Sequence, residues 1–150
     1  MINMNAVELA AVLARKFEGC YLSPYLCPAG IPTIGYGATF YEDGTAVTLK
    51  DLRITKARAE SLLLWQLAKV FLVGVKRLCP EVTTAERPAV LIDFSFNLGL
   101  GRLKSSTLRK EVNKGNWAAV PTELRKWNKG GGKRLRGLTL RREAECLLLG

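Results

Sequence analysis

Three closely spaced prolines, Pro24, Pro28 and Pro32, constrain this chain more than any other feature. Each fixes φ near about −65° and removes a backbone donor, so no regular helix runs through them. Gly30, Gly35, Gly37 and Gly44 follow closely and permit tight turns. Glu42-Asp43-Gly44, between Phe40-Tyr41 and Ala46-Val47, reads as a hairpin turn. Residues 20–48 are therefore expected to form a small antiparallel sheet.

Helical patterns flank this stretch. Asn5 with Glu8 reads as a capping box. Leu9, Leu13 and Phe17, with Ala6, Ala10 and Ala14, make an apolar stripe at helical spacing that Gly19 ends. Beyond Thr48 a long helix is expected over 55–78, ended by Pro80. A second capping box, Thr83 with Glu86, opens a helix stopping near Asn97-Leu98-Gly99. Shorter helices follow at about 106–113, 117–127 and 139–149, with Gly130-Gly131-Gly132 as a flexible joint. The pattern predicts one α+β domain over 1–150. An N-terminal helix and small sheet (about 20–48) pack beside a mainly helical body (about 55–149), with a cleft between them.

With 150 residues, 48% of them apolar, the chain can bury a core without staples. Lys and Arg total 23 against 13 Asp and Glu, a formal charge of +10 that favours anionic polymers. Nucleic acid is not the expected partner, because the longest basic stretch is broken by glycines and offers no recognition helix. The sequence has no histidine, which removes the usual Ser/His and Cys/His nucleophile pairs. Acid–base chemistry must run on carboxylates. Cys20, Cys27, Cys79 and Cys146 match no zinc spacing, so no metal site is expected. No secretory signal is visible, which predicts synthesis in a reducing compartment and free thiols. The densest apolar stretch, 62–75, contains Gln66 and Lys69 and falls short of the roughly 20 residues a bilayer needs. It is read as a buried helix.

Glu18 falls in the last turn of the first expected helix. The carbonyl end of the helix dipole, together with partial burial, disfavours its charged form and suits a general acid. A solvated glutamate at a helix end is the plainer reading.

Glu18-Gly19 and the run Pro28-Ala29-Gly30-Ile31-Pro32-Thr33-Ile34-Gly35-Tyr36-Gly37 are followed by further blocks in order. These are Phe96-Asn97-Leu98-Gly99, Ser106-Thr107-Leu108, Asn113-Lys114-Gly115, Trp127-Asn128-Lys129-Gly130-Gly131 and Gly137-Leu138 with Arg141-Arg142-Glu143-Ala144-Glu145. Together, over about 5–147, they resemble the phage-type lysozymes, the endolysins of glycoside hydrolase family twenty-four. The resemblance implies a lysozyme-like fold and cleavage of the β-1,4 bond between N-acetylmuramic acid and N-acetylglucosamine. Glu18, Cys27 and Thr33 reproduce the spacing of the family's catalytic glutamate, aspartate and threonine. The resemblance makes Glu18 the general acid and Thr33 the holder of the attacking water, as donor and acceptor. It also implies inversion, with catalytic groups about 6.5–9.5 Å apart.

Cys27 departs from the pattern. A thiol replaces the aspartate only as thiolate, and with a pKa of about 8.5 little of it is ionised at neutral pH. The chain's positive charge and a nearby arginine raise that fraction. Three readings stand: a working Glu-Cys-Thr triad, a Cys27 disulfide with Cys20 as an inactive form, or a degenerate position beside a weaker enzyme. Ala38 stands where the motif continues with histidine.

Tyr25 and Tyr36 are candidates for sugar stacking or for core. Asn97 is a candidate cap or sugar hydrogen-bonder, and Arg141 or Arg142 is a candidate partner for Glu18. Trp65, Trp117 and Trp127 are read as core. The basic residues between Lys126 and Arg142 form either a solvated face or an attraction for anionic wall polymer or outer-membrane lipid. The resemblance further implies peptidoglycan glycan strands as substrate, no cofactor, and a monomer. It would be held in the host cytoplasm until a holin releases it to the periplasm and cell wall. Two other uses remain: a catalytically impaired wall-binding or membrane-disrupting protein, and a tail-associated lysozyme.

Overall fold

The computed structural model describes residues 4–150. Helix α1 (Ala6–Phe17) opens on the expected capping box, with the Glu8 amide donating to Asn5 Oδ1 at 2.9 Å and the Glu8 carboxylate accepting from the Asn5 amide. Strands β1 (Tyr21–Leu26) and β2 (Pro32–Gly35) then pair antiparallel, Tyr21 opposite Gly35 and Tyr25 opposite Thr33, with a bulge between the two tyrosines. The Gly30 amide donates to the Cys27 carbonyl, and the Cys27 amide to the Ile31 carbonyl, closing the hairpin tip. Gly35 and Gly37 take φ of +67° and +93°, values open to glycine, and so turn the chain around Tyr36.

The turn over Glu42-Asp43-Gly44 forms as expected, held by the Tyr41 amide to the Thr45 carbonyl and by Asp43 accepting from the Thr45 amide. Its flanks carry only the bridge between Phe40 and Ala46. Ile34, Ala38, Val47 and Leu62 bury together beneath this region. Ala38 therefore fills with a methyl group the place the motif gives to histidine.

The helical body departs from the expected boundaries in several places. The 55–78 helix is α2 (Lys56–Gln66), capped by Thr55, and α3 (Leu72–Leu78), joined without a break through a π-helical turn at Leu67–Phe71. No Thr83 box opens α4 (Glu86–Leu98). Ala85 holds the cap position, and the Thr84 hydroxyl, on a residue with φ of +70°, is the nearest side-chain acceptor. An unexpected α5 (Leu100–Ser105) precedes α6 (Thr107–Asn113), which Ser106 caps. A 3-10 turn (Trp117–Ala119) leads into α7 (Val120–Arg125). The glycine run is a tight turn rather than a flexible joint. It joins β3 (Lys129–Gly130) to β4 (Lys133–Arg134), with Gly131 and Gly132 at positive φ. Helix α8 (Arg136–Leu149) starts before the expected 139.

Helix α4 is the axis of the body. Pro88 through Ser95 are all buried, and α1, α3 and α8 pack around it. Leu62, Leu63, Leu67 and Val75 of the long rod are buried too, and no helix among the described residues is long and apolar enough to cross a membrane. Trp65, Trp117 and Trp127 are half-buried. Trp127 meets Phe94 edge-on at 5.4 Å, and Trp65 meets Phe40 at 6.3 Å. The result is the expected α+β arrangement, a small hairpin region beside a helical body.

Candidate active site

Helix α1 ends one residue before Glu18. The Glu18 amide still donates to the Ala14 carbonyl at 2.8 Å, but its backbone is extended (φ −96°, ψ 139°), so it caps the helix rather than lying in the last turn. The carboxylate turns toward α8, where Oε1 accepts from Arg141 Nη1 at 2.7 Å with 28% of the Glu18 side chain exposed. Arg141 itself is buried. Its Nε and Nη2 hold the two oxygens of Asp93, on α4, at 3.0 and 2.7 Å.

Burying a charge is costly unless it is paired and hydrogen-bonded. Arg141 meets that condition through two carboxyl groups, and although burial opposes its charge, Asp93 and then Glu18 hold its pKa above the usual arginine value. The ion pairs tie the end of α1 to α4 and α8. Of the two arginine candidates, Arg141 touches the acid. Arg142 points elsewhere, with Nη2 donating to Asn97 Oδ1 at 2.8 Å and to Glu145 Oε2 at 3.1 Å.

Sequence reasoning gave Asp93 and Glu145 no role, yet both are fully buried. A signal existed for Asp93: an acid inside the apolar run Val90-Leu91-Ile92-Asp93-Phe94 cannot stay there without a cation. Asn97 is not a cap, because Gly99 ends α4. With Phe17, Glu18, Leu135, Gly137, Leu138 and Arg141 it lines an open cleft of about 360 Å³, within the range of small-molecule sites.

The β hairpin supplies the opposing groups. A side chain at Gly37 would come within 3.7 Å of Glu18 Oε2, so the turn after β2 backs the acid closely. A Cβ at Gly19 would lie 2.7 Å from the Tyr21 ring, which in turn meets Tyr25 at 4.4 Å between centroids. Tyr25 stands opposite Thr33 and near both Glu18 and Cys27. Burial first, then the charges of Tyr21, Glu18 and Cys27, push its hydroxyl above the ordinary phenol value.

Cys27 is a free, partly exposed thiol at the hairpin tip, and Cys20 is free as well. Hydrogen bonding from the Ile31 backbone does most to lower the Cys27 pKa; desolvation opposes it as the next largest effect, and Ala29 and Thr33 add to the lowering. Thr33 is 3% exposed, and its Oγ1 donates to the Ile31 carbonyl at 2.8 Å. With its proton on Ile31 it offers a ligand acceptor lone pairs, and the same hydroxyl is the donor that helps to hold the Cys27 thiolate. Tyr36 is core. It is 5% exposed, and its hydroxyl donates to Glu60 at 2.6 Å, so it presents no ring to the cleft.

Residues 15–145 match the family model described as phage lysozyme. The chain belongs to the phage lysozyme family. Among its relatives, the endolysin of Acyrthosiphon pisum secondary endosymbiont phage 1 is 34% identical, with 97% of each chain covered. The endolysin of Bacillus phage B103 is 35% identical over 97% of this chain, which spans 54% of that protein's length. Among solved structures, the endolysin from Escherichia coli O157:H7 phage FAHEc1 shares 30% identity and a TM-score of 0.81, covering 98% of this chain and 94% of that one. The similarity extends over hairpin and helical body together, so the cleft described above lies within the shared architecture.

Proposed function

We propose that this phage lysozyme is an endolysin that hydrolyses peptidoglycan as an N-acetylmuramidase, cutting the β-1,4 bond between N-acetylmuramic acid and N-acetylglucosamine. The observation that carries this reading is the Glu18 carboxyl at the wall of an open cleft, oriented by a buried guanidinium 2.7 Å away. A partly exposed carboxyl with one oxygen pinned keeps the other free to meet a glycosidic oxygen. Glu18 is then the general acid that protonates the leaving oxygen as the bond breaks. Arg141 is its positioning residue, and Asp93 positions Arg141.

Cys27 acts as thiolate, stabilising positive charge on the sugar and helping to orient the water. Its lowered pKa supports that role. Thr33 accepts a hydrogen bond from the water, consistent with its proton being committed to Ile31. Water entering opposite Glu18 inverts the anomeric centre. Tyr25 offers its half-buried ring to a saccharide, and Asn97 lines the cleft. Residues 1–150 act as one catalytic unit, monomeric and without cofactor. The formal charge of +10 draws it to anionic envelope polymers. The protein accumulates in the host cytoplasm and reaches the wall when a holin opens the membrane.

The deciding experiment compares native protein with Glu18→Gln on outer-membrane-permeabilised Gram-negative cells under reducing conditions. Turbidity loss is followed together with release of muropeptides bearing new muramic reducing ends. Lysis and new reducing ends from the native protein, with neither from the variant, is the expected result. Equal lysis by both without new reducing ends would identify a membrane-disrupting protein instead.

A further inference from the structure

Arg142 is fully buried on α8 and takes no part in the chemistry proposed for Glu18. Its guanidinium lies over the Phe94 ring at 5.2 Å, and Trp127 backs that ring edge-on. Glu145, one turn along α8, accepts from Nη2 at 3.1 Å. The same Nη2 donates at 2.8 Å to Oδ1 of Asn97, in the last turn of α4. These contacts hold the guanidinium in one place.

Stability does not account for the arrangement. Nη1 has no hydrogen-bond partner among the described residues. Nε lies 2.9 Å from Glu145 Oε1 but off the hydrogen-bonding direction. A buried ion pair with an idle donor is a weak stabiliser, and apolar side chains of similar volume often replace one at no cost. What they do not replace is the bond to Asn97.

That bond decides which way Asn97 faces. A side-chain amide carries an accepting oxygen and a donating nitrogen of nearly equal size, so shape alone leaves two orientations open. A guanidinium only donates, and it therefore admits Oδ1 and excludes Nδ2. No group among the described residues accepts from Asn97 Nδ2. Asn97 is partly exposed and lines the cleft with Glu18 and Arg141. With its oxygen turned to Arg142, the amide keeps both N–H donors for whatever occupies the cleft.

We propose that Arg142 is a positioning residue, buried behind the cleft wall, that locks the Asn97 amide so that Nδ2 donates to an accepting oxygen of the saccharide. The inference rests on the muramidase reading for its ligand, while the lock belongs to the free protein. A donor fixed before the substrate arrives spares the entropy of ordering it on binding. An amide free to turn would spend part of its time showing oxygen to oxygen.

The test measures hydrolysis of soluble, peptide-free glycan strands by native protein and four variants. Asn97→Ala removes the amide, and Asn97→Asp keeps an acceptor for Arg142 but has no donor. Arg142→Met combined with Glu145→Leu removes both ionic partners and leaves Asn97 free to turn. Each of these should raise KM about fivefold, the scale of one hydrogen bond, with a smaller change in kcat. Arg142→Lys still donates to Oδ1 and should keep the native KM. A merely structural Asn97 would be satisfied by Asn97→Asp, so a native KM in that variant overturns the donor role. A native KM in the double variant, or one raised equally by Arg142→Lys, overturns the lock. A readout independent of catalysis is the NMR signal of the Asn97 Nδ2 amide, assigned by its loss in Asn97→Asp. Titration of native protein with tri-N-acetylchitotriose should move it. An unmoved Asn97 signal while those of Phe17 and Leu138 shift would overturn the proposal. Native protein that binds the trisaccharide but cleaves no strand fails the muramidase reading, and the titration still decides whether Asn97 donates.

Discussion

The Cys27 thiol sits in a turn whose backbone amides stabilise its charged form, the Ile31 contribution being the largest. That differs from the expectation of a neighbouring arginine. Arg141 is spent on Glu18 and Asp93 and does not serve the thiol. Because the pKa is lowered, the thiolate persists to a pH below the ordinary thiol range, and activity that needs it falls as pH drops through that value. Cys27→Ala should reduce lysis by at least about tenfold, on the scale of one lost charge-stabilising group in an active site. Cys27→Asp should keep activity and carry the acid limb of the pH–rate profile lower, since an aspartate ionises near about 3.9. Full activity in Cys27→Ala, measured as reducing-end release across pH 5–9, would remove the thiol from the mechanism.

Two buried acid–arginine pairs involve α8 and differ in kind: Arg141 reaches across to Asp93 on α4, whereas Arg142 and Glu145 both belong to α8. Arg141 has only Asp93 and Glu18 to offset its charge, with the Asp93 side chain wholly buried. Asp93→Ala should therefore cost about 3–5 kcal/mol in urea unfolding, the usual result of stranding one partner of a buried pair. A loss below about 1 kcal/mol would mean that the charge finds water.

Glu145 behaves oppositely. Burial and Asp93 raise its pKa above that of the unfolded chain, against the pull of Arg142. Folding then favours the protonated form. The stabilisation is complete below the unfolded value of about 4.3 and declines as pH rises toward the folded value. Glu145→Gln should flatten that decline in a series of unfolding curves from pH 4 to 8. A variant that falls as steeply as native protein would show Glu145 to be charged.

These pairs mark where reading the sequence stopped. The Asn5–Glu8 cap and the order of elements were legible because they depend on neighbours in the chain. So was the place of Glu18 at the end of the first helix. Its partner lies 123 residues away, and nothing local distinguished Arg141 from Arg142. Asp93 was hidden inside an apolar run that reads simply as core. Tyr36 stood open between sugar stacking and core, and the structure places it in the core, its hydroxyl given to Glu60. Helix α5 was missed because Asn97-Leu98-Gly99 read as a stop, and the 129–134 hairpin because three glycines read as slack.

The formal charge of +10 acts at longer range than any of these contacts and on a different step of the reaction. Binding to an anionic wall would gain from the field of the whole surface, whereas the proton transfer proposed for Glu18 would take place inside the cleft, where Arg141 is 3% exposed and little screened. Salt separates the two effects. The screening length falls from about 10 Å at 0.1 M to about 3 Å at 1 M, enough to abolish attraction between the basic surface and wall phosphates or carboxylates. Raising NaCl over that range should slow lysis of permeabilised cells several-fold, while hydrolysis of a short, uncharged glycan oligomer changes little. Replacing the exposed Lys126 and Lys129 with glutamate should lower the cell-lysis rate and reduce its salt dependence, leaving the oligomer rate intact. Equal salt sensitivity on both substrates would place the effect inside the cleft. The surface charge would then be a matter of solubility rather than of encounter with the wall.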